Sequence, residues 1–188
     1  MEKNIKILGF AGSLRKQSYN RALLQVALEV TPSNSNLEIF DLEGIPLYNQ
    51  DEEIHLPQSV VLLKAKVRAA DAILIVTPEY NYSIPAVLKN ALDWGSRPYG
   101  DNAWDNKPVA IMGASPGMQG TARAQYHLRQ VFVYLNMYPL NQPEVMIGSV
   151  HDKFDAKGSL TDPKTRQKIA ELLTTLTIYA RHRDALTR

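Results

Sequence analysis

Residues 5–20, IKILGFAGSLRKQSYN, decide how this chain is read. Ile5 to Ala11 is a short apolar run of the kind that forms a buried strand, and Arg21 to Val30 repeats its apolar residues at helical spacing. GSLRKQSYN, Gly12 to Asn20, is therefore the loop between a strand and a helix. At that position the loop amides and the positive end of the helix dipole face the same point, so an anion is favoured there. Ser13, Ser18 and Asn20 offer short polar groups and Arg15 a planar cationic fork suited to phosphate oxygens. The plainer alternative is that the serines and Asn20 only cap the helix, which explains one such residue more readily than four.

The loop contains neither G-x-x-x-x-G-K-[ST] nor G-x-G-x-x-G, so a triphosphate or a tightly held dinucleotide is disfavoured. A terminal monophosphate remains, and flavin mononucleotide (FMN) is the common example on open α/β sheets.

Downstream, apolar runs and helical patterns alternate. Strands are expected at Leu37 to Asp41, Ala72 to Thr77, Val109 to Gly113 and Glu144 to Ile147. Helices are expected at Val60 to Ala69, around Val87 to Leu92, from Thr121 to Leu135 and from Asp162 to Arg183. This pattern predicts an α/β fold of one domain over residues 1–188, with a doubly wound, five-stranded parallel sheet. The expected order is the flavodoxin-like 2-1-3-4-5, with helices on both faces and a ligand at the carboxyl ends of the strands.

Composition narrows the function. The chain has 188 residues, a net charge of +2 and scattered basic residues, so no nucleic-acid partner is implied. No segment is long and apolar enough for membrane insertion, and a cytoplasmic protein is expected. There is no Cys, which removes thiolate and iron–sulfur chemistry, and the four His residues are isolated, so no metal site is expected. Any redox chemistry must then come from a bound cofactor.

Two further loops should line the ligand crevice. TPEYNYSIP, Thr77 to Pro85, has a φ fixed by Pro78, which can present backbone groups to a planar ring; an ordinary Pro-rich turn is the alternative. ASPGMQGT, Ala114 to Thr121, places Gly117 and Gly120 where the backbone either approaches a ligand or makes a tight turn.

Together GSLRKQSYN, TPEYNYSIP, ALDWGSRP (91–98), GASPGMQGTARAQYHLRQ (113–130) and PLYNQD (46–51) resemble the NADPH-dependent FMN reductase family, in particular its chromate and quinone reductase branch. The resemblance implies an FMN-containing oxidoreductase that takes hydride from NADPH or NADH and reduces quinones, with adventitious activity toward chromate. It implies that Ser13, Arg15, Ser18 and Asn20 hold the FMN phosphate, that Pro78, Glu79, Tyr80 and Asn81 flank the ring and ribityl chain, and that Ser115 and Gly117 complete the site. No side chain is expected to be catalytic, because FMN carries the chemistry. Arg97 is a further substrate contact on this reading. A homodimer or homotetramer is expected, with Arg123, Tyr126 and Glu144 as contacts between dimers. The competing reading is a flavodoxin-type electron carrier, but such carriers are acidic and this chain has a pI near 8.7.

Overall fold

The computed structural model describes residues 3–186. Three central strands are buried on both faces, as their apolar sequences, broken only by the exposed Lys6 near the start of the first, require. They are β1 (Ile5–Ala11), β3 (Ala72–Val76) and β4 (Pro108–Ala114). Alternate residues feed two cores. Ala72, Leu74 and Val76 join Ile5 and Ile7 on one face, while Ile73 and Ile75 join Leu8 and Phe10 on the other.

The first core is closed by α1 (Tyr19–Glu29) and α5 (Pro163–Leu186), through Leu23, Leu24, Ile169 and Leu173. The second is closed by α2 (Gln58–Ala69), α3 (Ala86–Gly95) and α4 (Ala122–Leu135), through Leu63, Leu92 and Phe132. Helices therefore lie on both faces of the sheet, as expected. The capping chemistry is local for α5, where Asp162 accepts from the Thr165 amide and hydroxyl at 2.9 and 2.6 Å and Pro163 opens the first turn.

All strands pair in parallel. The order is β2-β1-β3-β4, with β2 at Ser35–Ile39, and the far edge is shared by β5 (Tyr138–Pro139) and β6 (Val145–Ile147). This is the flavodoxin-like order with two corrections. The second strand begins at Ser35, not Leu37, because Ser35 and Asn36 pair with Ile5 and Lys6 through backbone groups that are indifferent to side-chain polarity. It ends before Asp41, whose carboxylate instead accepts from the Glu43 amide and pairs with Arg21.

The fifth position holds two short strands in place of one. β5 pairs with Pro108 and Val109, and β6 with Met112 to Ala114. A two-residue strand ending in Pro is possible only at a sheet edge, and carries no periodic signal.

The long polar loop after β2 is anchored on α3. The Pro46 carbonyl accepts from Asn90 Nδ2 and Trp94 Nε1, both at 2.8 Å, and Asn90 Oδ1 accepts from the Tyr48 amide. With that segment held against α3, three βα loops stand together at the carboxyl ends of β1, β3 and β4.

Candidate functional site

The first loop leaves β1 at Gly12, whose amide donates to the Val76 carbonyl at 2.8 Å, and enters α1 at Ser18. Ser18 is the N-cap, its hydroxyl oxygen accepting from the Arg21 amide. Ser13 Oγ likewise accepts from the Arg15 amide. Both serines are buried, at 4% and 6% exposure, and neither hydroxyl hydrogen has an acceptor among the described residues. The amides of Leu14, Lys16, Gln17, Tyr19 and Asn20 are also without an acceptor there. Buried hydroxyls without an acceptor are uncommon, and here two of them stand with a run of loop amides, those of Leu14, Lys16 and Gln17 in exposed residues, at a helix N-terminus. The cradle suits a dianionic phosphate, with Arg15 exposed at its rim.

Asn20 does something the sequence does not disclose. β4 outruns β3: the ladder between them closes with the Thr77 amide donating to Met112, two residues short of Ala114. Asn20 takes over as a side-chain surrogate for the missing strand, its Oδ1 accepting from the Ala114 amide at 2.9 Å and its Nδ2 donating to the Ala114 carbonyl at 3.0 Å. One Nδ2 hydrogen is left over. Asn20 thus ties the first loop to the third.

Loop two turns tightly between Tyr80 and Ser83, which exchange both backbone hydrogen bonds, at 3.1 and 3.0 Å. Asn81 and Tyr82 occupy the left-handed region at φ 50° and 67°, a conformation Asn tolerates and Tyr disfavours. The Glu79 carboxylate points to α4: Oε2 accepts from the Arg123 and Ala124 amides at 3.0 and 3.2 Å, and Oε1 lies 2.6 Å from Arg123 Nε. It caps a helix whose own N-cap, Thr121, makes no side-chain cap. Arg123 covers the Tyr82 ring at 3.6 Å and Ser83 Oγ meets His127 Nδ1 at 2.9 Å, so the loop is held from both ends.

Loop three is fixed to β6 by the Ser115 amide, which donates to Ile147. Gly113, just before it, is essential for the approach of loops two and three, since a methyl group there would collide with the Thr77 carbonyl and the Thr121 hydroxyl. Gly120, at φ 62° and against β6, is likewise required by the turn. Gly117 is different. Its φ is not left-handed, and a methyl group there would meet only Ser115 Oγ, at 3.7 Å. Among the described residues nothing demands a glycine at 117, which leaves open backbone beside the crevice.

The remaining candidates lie elsewhere. Arg97 follows the carboxyl end of α3, whereas loop two precedes its amino end, and ten helical residues separate the two by about 15 Å. It stacks on Tyr99 at 3.9 Å and faces Tyr48 at 5.7 Å, while Glu53 accepts a 2.5 Å hydrogen bond from Tyr48. That bond holds the Tyr48 phenol above its ordinary range, and a hydrogen bond with Tyr99 does the same for Arg97. Within one chain Arg97 is not brought to the three loops. Arg123, Tyr126 and Glu144 are engaged inside the chain, Arg123 with Glu79 and Tyr126 with Glu144 at 3.2 Å. Among the described residues no helix is long and apolar enough to cross a membrane.

Residues 5–152 match the family model for NADPH-dependent FMN reductase. The chain is 51% identical over 182 residues to the NAD(P)H-dependent FMN reductase PA1204 of Pseudomonas aeruginosa, covering 96% of this chain and 98% of that one. It is 42% identical over 179 residues to a 2-hydroxy-1,4-benzoquinone reductase of a Burkholderia species, covering 95% and 98%. Among solved structures it is similar to FerB, a flavoenzyme NAD(P)H:(acceptor) oxidoreductase from Paracoccus denitrificans, at a TM-score of 0.87 and 34% identity over 95% and 98% of the two chains.

The surrogate strand contact is open to direct test. Asn20→Ala leaves the Ala114 amide and carbonyl without partners, and is expected to lower stability by about 2 to 4 kcal/mol in urea unfolding. A loss within about 0.5 kcal/mol, the range of an unremarkable surface change, would show that Asn20 does not carry this contact.

Proposed function

This chain belongs to the NADPH-dependent FMN reductase family and is an NAD(P)H-dependent FMN oxidoreductase, and from that premise we propose which of its residues hold the flavin and how they serve quinone reduction. The observation that carries the assignment is the cradle at α1, with two buried serine hydroxyls and a run of amides lacking acceptors. Ser13, Ser18 and the loop amides hold the FMN phosphate, Arg15 neutralises it from the rim, and Asn20 supports the cradle and contributes its spare Nδ2 hydrogen. Pro78, Glu79, Tyr80 and Asn81 flank the ring and ribityl chain, Glu79 through its backbone because its carboxylate is committed to α4. Ser115 and the open backbone at Gly117 complete the site.

When bound, FMN supplies the hydride acceptor and the route by which electrons reach the oxidant. The protein's share is placement and charge. The Tyr80–Ser83 turn, held to α4 by Glu79, Arg123 and His127, presents a rigid edge and so lowers the cost of aligning reactants. The amides of Asn81 and Tyr82, which have no acceptor among the described residues, would offer backbone dipoles to the ring of FMN once it is bound. No side chain need accept or donate a proton, so none is assigned as catalytic. Quinones are the acceptor class on this reading, with chromate as a secondary oxidant. The reading takes residues 1–188 as one functional domain, placed in the cytoplasm where the NAD(P)H supply is.

A homodimer or homotetramer is part of the same proposal. The outer side of α4 exposes Tyr126, Val133 and Tyr134, and α5 cannot cover it because it packs on the opposite face of the sheet. Arg123, Tyr126 and Glu144 rim that side, and light scattering on the eluting protein reads the assembly directly.

One crevice serving donor and acceptor in turn predicts ping-pong kinetics. The purified protein should be yellow, bleach anaerobically with NADPH or NADH, and regain its colour on adding a quinone. Initial rates at varied donor and quinone should then give parallel double-reciprocal lines. Intersecting lines together with a stable ternary complex would contradict alternate use of one face.

A further inference from the structure

Tyr82 stands where the turn of loop two has a place for glycine. Tyr80 and Ser83 close that turn with both backbone hydrogen bonds, and the residues between them are left-handed, Asn81 at φ 50° and Tyr82 at φ 67°. A two-residue turn with positive φ at both positions favours Asn followed by Gly. Asn81 meets the first preference and Tyr82 goes against the second. A bulky residue held left-handed is an outlier, so its surroundings must keep it there.

They do so through one face of the ring. Arg123 lies over it at 3.6 Å, and the guanidinium is itself fixed because its Nε pairs with Glu79 Oε1 at 2.6 Å. Ser83, next in the chain, meets His127 Nδ1 at 2.9 Å, one turn further along α4. Tyr82 is nonetheless 69% exposed, and among the described residues no other ring packs on it and its phenol has no hydrogen-bond partner. The core does not use this ring, and the turn would be better served by glycine. What the clamp achieves is display: a ring fixed on one face and open on the other. Arg123 stands just after Thr121, where loop three ends, so the ring sits where loops two and three meet at the edge of the crevice.

We propose that Tyr82 is a specificity-determining residue for the electron acceptor, its open face a stacking platform for planar quinones, with Arg123 as the positioning residue that keeps the ring presented. The inference rests on the reductase reading of the crevice. A dinucleotide donor has phosphates and sugars by which to be held, whereas a small quinone has little beyond its flat faces. Stacking on an aromatic ring is the contact that reads flatness, and a ring already held in place gives up little side-chain freedom when it is used. The contribution of Tyr82 therefore falls mainly on the acceptor, and on planar acceptors above others.

The experiment uses the holoprotein and its Tyr82→Gly variant, in which the turn receives the residue it favours and keeps the amide at 82, so that the ring alone is removed. Initial rates with one donor compare a naphthoquinone with ferricyanide, an octahedral ion that has no flat face. The ratio of kcat/KM for naphthoquinone to that for ferricyanide should fall roughly tenfold in Tyr82→Gly, be kept in Tyr82→Phe, and fall part of the way in Arg123→Gln. Calorimetry on the oxidised holoprotein should show naphthol binding more tightly than its saturated counterpart decahydronaphthol, and Tyr82→Gly should shrink that difference. A ratio in Tyr82→Gly within about twofold of the intact protein would overturn the proposal, as would a fall in Tyr82→Phe equal to that in Tyr82→Gly, which would put the effect on the phenol and not on the ring face. If neither donor bleaches the holoprotein, the reductase reading fails, while the naphthol titration still decides whether the ring binds flat molecules.

Discussion

The crevice depends on one mismatch in strand length. β4 continues past the end of β3, which exposes the inward amide and carbonyl of Ala114, and the Asn20 side chain satisfies both. A buried peptide without partners would cost about 1 to 3 kcal/mol for each group, so the contact is strongly selected energetically. It also has a geometric result. The amino end of α1 is drawn across the end of β3 toward β4, and the cradle of free amides is carried with it. Gly113 then lets the backbone of Thr77 and the side chain of Thr121 close in from the other two loops. Glu79 completes the arrangement by satisfying the first turn of α4, which ties loop two to that helix.

The same convergence explains why the site carries so much unspent hydrogen-bonding capacity. Side chains that could have filled the cradle are used to hold the loops instead: Asn20 on β4, Glu79 on α4, Ser83 on His127. What remains facing the crevice is mostly backbone, together with two serine hydroxyls. Backbone donors on a rigid scaffold bind phosphate and stabilise developing charge without proton transfer, which matches an enzyme whose reactive atoms belong to its cofactor.

Much of this was legible in the sequence because it is local. β3 and β4 are apolar throughout and β1 is apolar save for Lys6 near its start, since both faces of these strands are largely buried, and the loops between them carry most of the polar residues. The roles of Asn20 and Glu79 were not legible, since their partners lie 94 and 44 residues away and no periodicity links them. β2 began early because ladder hydrogen bonds ignore side chains, and β5 is too short to carry a pattern. Arg97 sits in a conspicuous motif, yet α3 carries it to the far end of its own length, where Tyr48, Tyr99 and Glu53 engage it. Arg123 adds a role the sequence does not disclose, since it pairs with Glu79 from loop two of its own chain.

The central claim is that the cradle at α1 reads a phosphate. Riboflavin is FMN without that group, so titrating the apoprotein with each, by quenching of flavin fluorescence, isolates the cradle from every contact to the ring. Several charge-assisted hydrogen bonds from preorganised donors predict that FMN binds at least about a hundredfold more tightly. Equal affinities for the two flavins would contradict the account, because the buried donors at α1 would then have no part in holding the cofactor.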